Sequence, residues 1–130
     1  MKHEELTNKI IGVFYEVYNE LRHGFLESVY EKAMAIAFAE KGIQFEQQVE
    51  IPVWFHRKQA GMFYADIVVE GIVILELKAV RSLDPAHEAQ LLNYLRATEI
   101  EIGLLLNFGV KPEIKRRIYD NPRKASRSYP

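Results

Sequence analysis

Cysteine is absent from this chain of 130 residues. Its absence excludes disulfides, zinc–thiolate sites and a cysteine-ligated iron–sulfur cluster. No apolar run is long enough to span a bilayer, so no membrane partner is expected. The opening residues, Met1-Lys2-His3-Glu4-Glu5, lack the apolar core of a secretory signal. No internal repeat and no low-complexity linker breaks the chain. A dominant charge is missing too: 17 Lys/Arg stand against 18 Asp/Glu, for a net charge of −1. Together these absences predict a cytoplasmic protein. The length suits one domain with one core, over residues 1–120, and 48% hydrophobic residues are ordinary for a globular chain.

The charge that is present is unevenly spread. Residues 111–130 carry seven Lys/Arg against Glu113 and Asp120, a local balance of +5. The rest of the chain is acidic to a similar extent. Lys111, Lys115, Arg116 and Arg117 are therefore candidate phosphate contacts, although a solvated terminal helix would look the same. Residues 121–130 read as a basic, flexible tail.

Apolar residues at helical spacing predict a helix over 4–21, and an alanine-rich stretch predicts a second over 26–41, stopped at Gly42. Residues 44–55 read as a strand, with Pro52 arguing for a sheet edge or bulge. Residues 62–69 and 72–80 are apolar on both faces, as in a buried central sheet. Asp84-Pro85 opens a helix running to 97, with Asp84 as cap and Pro85 in the first turn. A buried strand over 100–107 and a short helix over 111–119 complete the order α-α-β-β-β-α-β-α. The expected fold is α/β, a four-stranded mixed sheet flanked by helices.

Charge inside this apolar frame is informative. Asp66 stands alone on one predicted strand, and Glu76-Leu77-Lys78 interrupts the next. Two charges in Ile72-Val73-Ile74-Leu75-Glu76-Leu77-Lys78-Ala79-Val80 are costly unless they serve as an ion pair or a site. Asp66 and Glu76 can hold a hard cation, with the Leu77 backbone carbonyl as an extra oxygen ligand. Lys78 can steady a water nucleophile and offset phosphate charge. This is the chemistry of a metal-dependent phosphodiesterase. It requires the acids to share a face. A three-residue loop at 69–71, with Gly71 left-handed, pairs 66 with 74 and meets that need. Asp66 directly opposite Leu75 would break the site.

Gln90 and Tyr94 lie four apart on one helix face, as a polar edge or as part of the site. His87 precedes them by one turn and reads as a local hydrogen-bonding residue. Glu27 and Tyr30 sit one turn apart on the second helix, after Gly24. Glu27 can supply a further metal ligand from outside the sheet.

Gly24-Phe25-Leu26-Glu27-Ser28-Val29-Tyr30 matches a GxxExxY signature. With Asp66, Glu76-Leu77-Lys78 and Gln90-x-x-x-Tyr94, residues 4–110 resemble the GxxExxY proteins of the PD-(D/E)XK nuclease superfamily. The Gln-x-x-x-Tyr element is similar to that of RecB-type exonucleases. The resemblance implies a restriction-endonuclease-like core, Mg²⁺ or Mn²⁺ dependence, Asp66 and Glu76 as principal ligands, Glu27 as an accessory ligand and Lys78 as the catalytic lysine. Ala65 replaces the superfamily's proline. Arg22-His23 stands where many relatives have Gly-Pro.

The resemblance thus implies a reaction type, and the expected function is a metal-dependent DNA nuclease, exonucleolytic or single-strand-directed, in repair, recombination or defence. A non-catalytic nucleic-acid-binding or assembly module on the same fold is the alternative. Small size and the edge near Pro52 leave room for a homodimer or a protein partner. Tyr64, Trp54 and Phe108 could stack bases, but core packing is the expected use.

Overall fold

A computed structural model describes residues 3–124. The first helix, α1 (Glu4–Leu21), buries Ile10, Val13, Phe14, Val17 and Tyr18 along one stripe. The second, α2 (Glu27–Glu40), packs close through its alanines and buries Tyr30, Met34 and Phe38. Five strands follow: β1 (Phe45–Phe55), β2 (Lys58–Val69), β3 (Val73–Lys78), β4 (Ile102–Phe108) and β5 (Pro112–Ile118), with α3 (Pro85–Arg96) between β3 and β4. Their spatial order is β1-β2-β3-β4-β5. Only β3 and β4 run parallel, because α3 carries the chain back between them. One apolar layer lies between the sheet and α1–α2, and another under α3. Among the described residues no helix is long and apolar enough to cross a membrane.

The α/β class holds, the second helix does stop before Gly42, and Pro52 does lie on an edge strand. Asp84 caps α3 by accepting from Ala86 N at 2.8 Å, and His87 Nδ1 returns the bond by accepting from Asp84 N. Three expectations need correction. The sheet has five strands rather than four, since residues 112–118 pair antiparallel with β4 instead of forming a helix. Ile114 and Ile118 are four apart, which fits one helix face or one strand face equally well. The open edge of β4 decides for the strand, and β5's charges protect the new edge. Second, residues 121–123 form a short 3-10 turn, and Lys124 Nζ donates to the carbonyls of Thr98 and Ile100. The remainder of the expected tail, 125–130, lies outside the described residues.

The third correction is the hairpin register. Val69 pairs with Val73 and Ile67 with Leu75, so Asp66 falls opposite Glu76 rather than residue 74. The loop is 70–72, with Glu70 and Gly71 both left-handed, because this keeps both valines fully buried. A shift of two preserves which residues share a face.

The β1–β2 ribbon also turns over along its length. Phe45, Ile67 and Val69 pack toward α1 and α2, whereas Val49, Ile51 and Ala65 pack toward α3. Plain alternation would keep 65, 67 and 69 on one side. The reversal occurs at Gln48, whose φ is +52°, and at Asp66 across from it.

Candidate active site

Beyond Ile67, β2 leaves β3, and backbone donors lose their ladder partners. Two carboxylates replace them. Glu76 Oε2 accepts from Asp66 N at 2.9 Å, and Asp66 Oδ2 accepts from Leu77 N at 2.8 Å. The acids are thereby locked to each other's strand. N–H and C=O of one strand residue point to the same side, so the Leu77 carbonyl also faces the gap at Asp66.

The price of this arrangement is electrostatic. Glu76 is only 4% exposed. Burial, followed by the neighbouring Asp66 charge, pushes its pKa up to about 8 from an ordinary 4.5, with Lys78 opposing. Burial also raises Asp66, aided by the charges of Glu31 and Glu27 and opposed by the Leu77 amide. Crowded, desolvated carboxylates of this kind favour a cation.

Lys78 Nζ reaches Gln90 Oε1 at 3.4 Å, and Gln90 Nε2 donates to the Tyr94 hydroxyl at 3.0 Å. The face of α3 therefore holds the ammonium through an amide relay. Burial, then the Glu76 charge, raises the Tyr94 phenol. From the other side, Glu27 Oε2 accepts from Ala79 N at 3.3 Å. Its helix is placed by Tyr30, whose buried hydroxyl donates to Arg22 O and accepts from Phe25 N. The Tyr30 ring stacks on Phe108 at 4.1 Å, so Phe108 is core, as expected. Gly24, at φ +116°, gives the loop a turn that a side chain would strain.

The family model described as the PD-(D/E)XK nuclease superfamily matches residues 4–117. The chain belongs to this superfamily. Its fold is similar to that of an alkaline exonuclease (LHK-Exo) from Laribacter hongkongensis. The TM-score is 0.52 at 12% identity, over 94% of this chain and 73% of that one. No curated protein matches in sequence.

Within this PD-(D/E)XK domain, the expected residues Asp66, Glu76, Leu77, Lys78, Gln90, Tyr94 and Glu27 come together, with Gly24 and Tyr30 behind them. The basic candidates do not gather into one arm. They lie on or beside β5, where Arg116 donates to Thr7 and Arg117 pairs with Glu88. Lys111 and Lys115 are exposed. Lys115 lies in the row Glu76–Leu105–Lys115 across the sheet.

Sequence reasoning missed three residues. Glu31, one turn beyond Glu27, is bridged to Asp66 by Gln48 Nε2, at 2.8 Å to Glu31 and 3.4 Å to Asp66. Its i+4 spacing from Glu27 was the available signal. Asn107 is fully buried. It bonds Val80 N and Val80 O and donates to Glu113, holding the segment that leaves Lys78. A single amide after Leu104-Leu105-Leu106 was the clue.

Among the described residues no three acids or histidines converge into a complete ligand set. Two carboxylates and one carbonyl, all hard oxygen donors, still suit a cation that keeps several waters.

Proposed function

We propose that this protein is a metal-dependent nuclease of the GxxExxY type that hydrolyses phosphodiester bonds of DNA. The mutual lock of Asp66 and Glu76, beside a lysine held by Gln90, carries the reading. Asp66, Glu76 and the Leu77 carbonyl would hold Mg²⁺ or Mn²⁺, with Glu27 as accessory. When bound, the ion polarises the phosphate and acidifies water. The chain's own residues do the rest. Lys78 orients the attacking water and offsets charge on the phosphate oxygens. Gln90 fixes the Lys78 ammonium, and Tyr94 fixes Gln90. Water's oxygen bonds to phosphorus, the bridging P–O bond breaks, and the leaving oxygen takes up a proton. Lys111 and Lys115 extend a charged surface for the DNA backbone.

Cleavage of labelled single- and double-stranded DNA, linear and circular, with Mg²⁺, Mn²⁺ or EDTA tests this. Metal-dependent cutting should disappear in Glu76→Ala and Lys78→Ala, and circular substrates separate endonucleolytic from exonucleolytic action. A second reading, a non-catalytic DNA-binding or assembly module, is favoured by the fact that Asp66, Glu76 and Glu27 already have backbone partners. No cutting in any condition, with DNA binding unaffected by Lys78→Ala, would select it.

A further inference from the structure

Past the turnover at Gln48 and Asp66, the distal β1–β2 ribbon stands off from α3 and leaves a groove of about 990 Å³. Trp54, Phe55 and Phe63 line it together with Tyr94 and Tyr119. Phe55 is 63% exposed and Phe63 46%; the Phe55 ring stacks on His56 at 3.9 Å, and the rest of this apolar surface is open to solvent. The pairing shifts register between Val53 and Trp54, where β2 carries an extra residue, Ala60, and the stretch from Pro52 to Phe55 lines the groove. The groove runs into the reactive centre. Gln90 and Tyr94 belong to both, and the Phe63 ring lies 5.8 Å from Tyr94. Next to the lining, the hairpin tip exposes Arg57 and Lys58. Across from it, Arg123 lies 4.8 Å over the Tyr119 ring.

We propose that this groove binds unpaired DNA, stacking bases on Trp54, Phe55 and Phe63 and leading the strand to Lys78. The proposal rests on the nuclease reading and adds its substrate class: a single strand or frayed end rather than an intact duplex. Aromatic faces without a fixed hydrogen-bond pattern accept any unstacked base, whereas a duplex keeps its bases on one another. Basic groups beside the aromatic lining complement the phosphates.

Trp54 is the only tryptophan, so its fluorescence reports on the groove. The full chain in EDTA is titrated with an oligothymidylate of about twelve nucleotides and with a duplex of equal length. Saturable quenching by the single strand, with little from the duplex, is expected. Phe55→Ala should weaken single-strand binding at least about fivefold and leave the melting temperature unchanged. Equal responses to both ligands, or unchanged affinity in both Phe55→Ala and Phe63→Ala, would overturn the proposal. So would a concentration-dependent dimer that Phe55→Ala abolishes and that excludes the strand. Cleavage measured alongside separates the two readings. A bound strand that is never cut removes the nuclease alone, and cutting without a Trp54 response removes the groove alone.

Discussion

Replacing Glu76 by Gln should stabilise the apo protein at alkaline pH while removing its activity. The folded protein holds the Glu76 proton up to about pH 8, against an ordinary 4.5. Between those values the folded state keeps a proton that the unfolded chain has lost. Stability therefore falls as pH rises through this window, and the full penalty is present above it. At about 1.4 kcal/mol per pKa unit, the gap corresponds to on the order of 5 kcal/mol. The glutamine oxygen can still accept from Asp66 N, but its NH₂ group needs a new partner, which costs about 1 kcal/mol or more. A net gain of roughly 3 kcal/mol in a domain of this size raises Tm by about 10 °C. Thermal melts of both proteins in EDTA should nearly coincide at pH 5 and separate progressively to pH 9. Mg²⁺ should raise only the wild-type curve. A pH-independent offset, or a less stable Gln variant at pH 9, would refute the electrostatic account.

Lys78→Ala should lower kcat by about 10²–10³ with KM little changed, and Gln90→Ala should lower it by a smaller factor through the loosened ammonium; single-turnover kinetics read both. At low Mg²⁺, cleavage should climb with pH to about 8 as Glu76 ionises, and raising Mg²⁺ should move the rise to lower pH. Tyr30→Phe removes the hydroxyl that bonds Arg22 and Phe25. It should cost about 1–3 kcal/mol in denaturant titrations and reduce activity through Glu27. Gly103→Ala drives a methyl group to 2.6 Å from Leu91. Destabilisation of about 1–3 kcal/mol is expected, and a neutral result would mean that α3 shifts freely.

Much of the candidate site's geometry was legible because charge inside an apolar strand is rare enough to read. Asp66, Glu76 and Lys78 stood out by contrast with their neighbours, and the Gln90–Tyr94 pair by helical spacing. The first helix showed through its apolar period, and the second through its alanines and the Gly42 stop. Residues 112–118 were illegible for the opposite reason. Two isoleucines four apart among charges suit either element, and only the unpaired edge of β4 selects the strand. The hairpin register failed by one loop position because Gly71 tolerates either loop. Valine burial, a tertiary quantity, made the choice. The reversal of the β1–β2 ribbon had no local signal, since Gln48 is not a residue that announces a left-handed turn. Gln48 entered the site through that reversal and could not be seen without it, whereas Glu31 could be read only from its spacing to Glu27.

The same reversal makes the ribbon a lever with Asp66 at its pivot. One arm is paired into the central sheet beside β3, and the other forms the aromatic wall of the groove. On the proposed reading, a strand that pressed on the free arm would change the angle at residues 48 and 66, and with it the spacing between Asp66 and Glu76. Cation and strand binding would then be linked, and linkage is reciprocal: each would alter the other's affinity by the same factor. Titrating the cation with and without oligothymidylate, and the reverse, should return one number twice, while two independent affinities would mean a rigid ribbon.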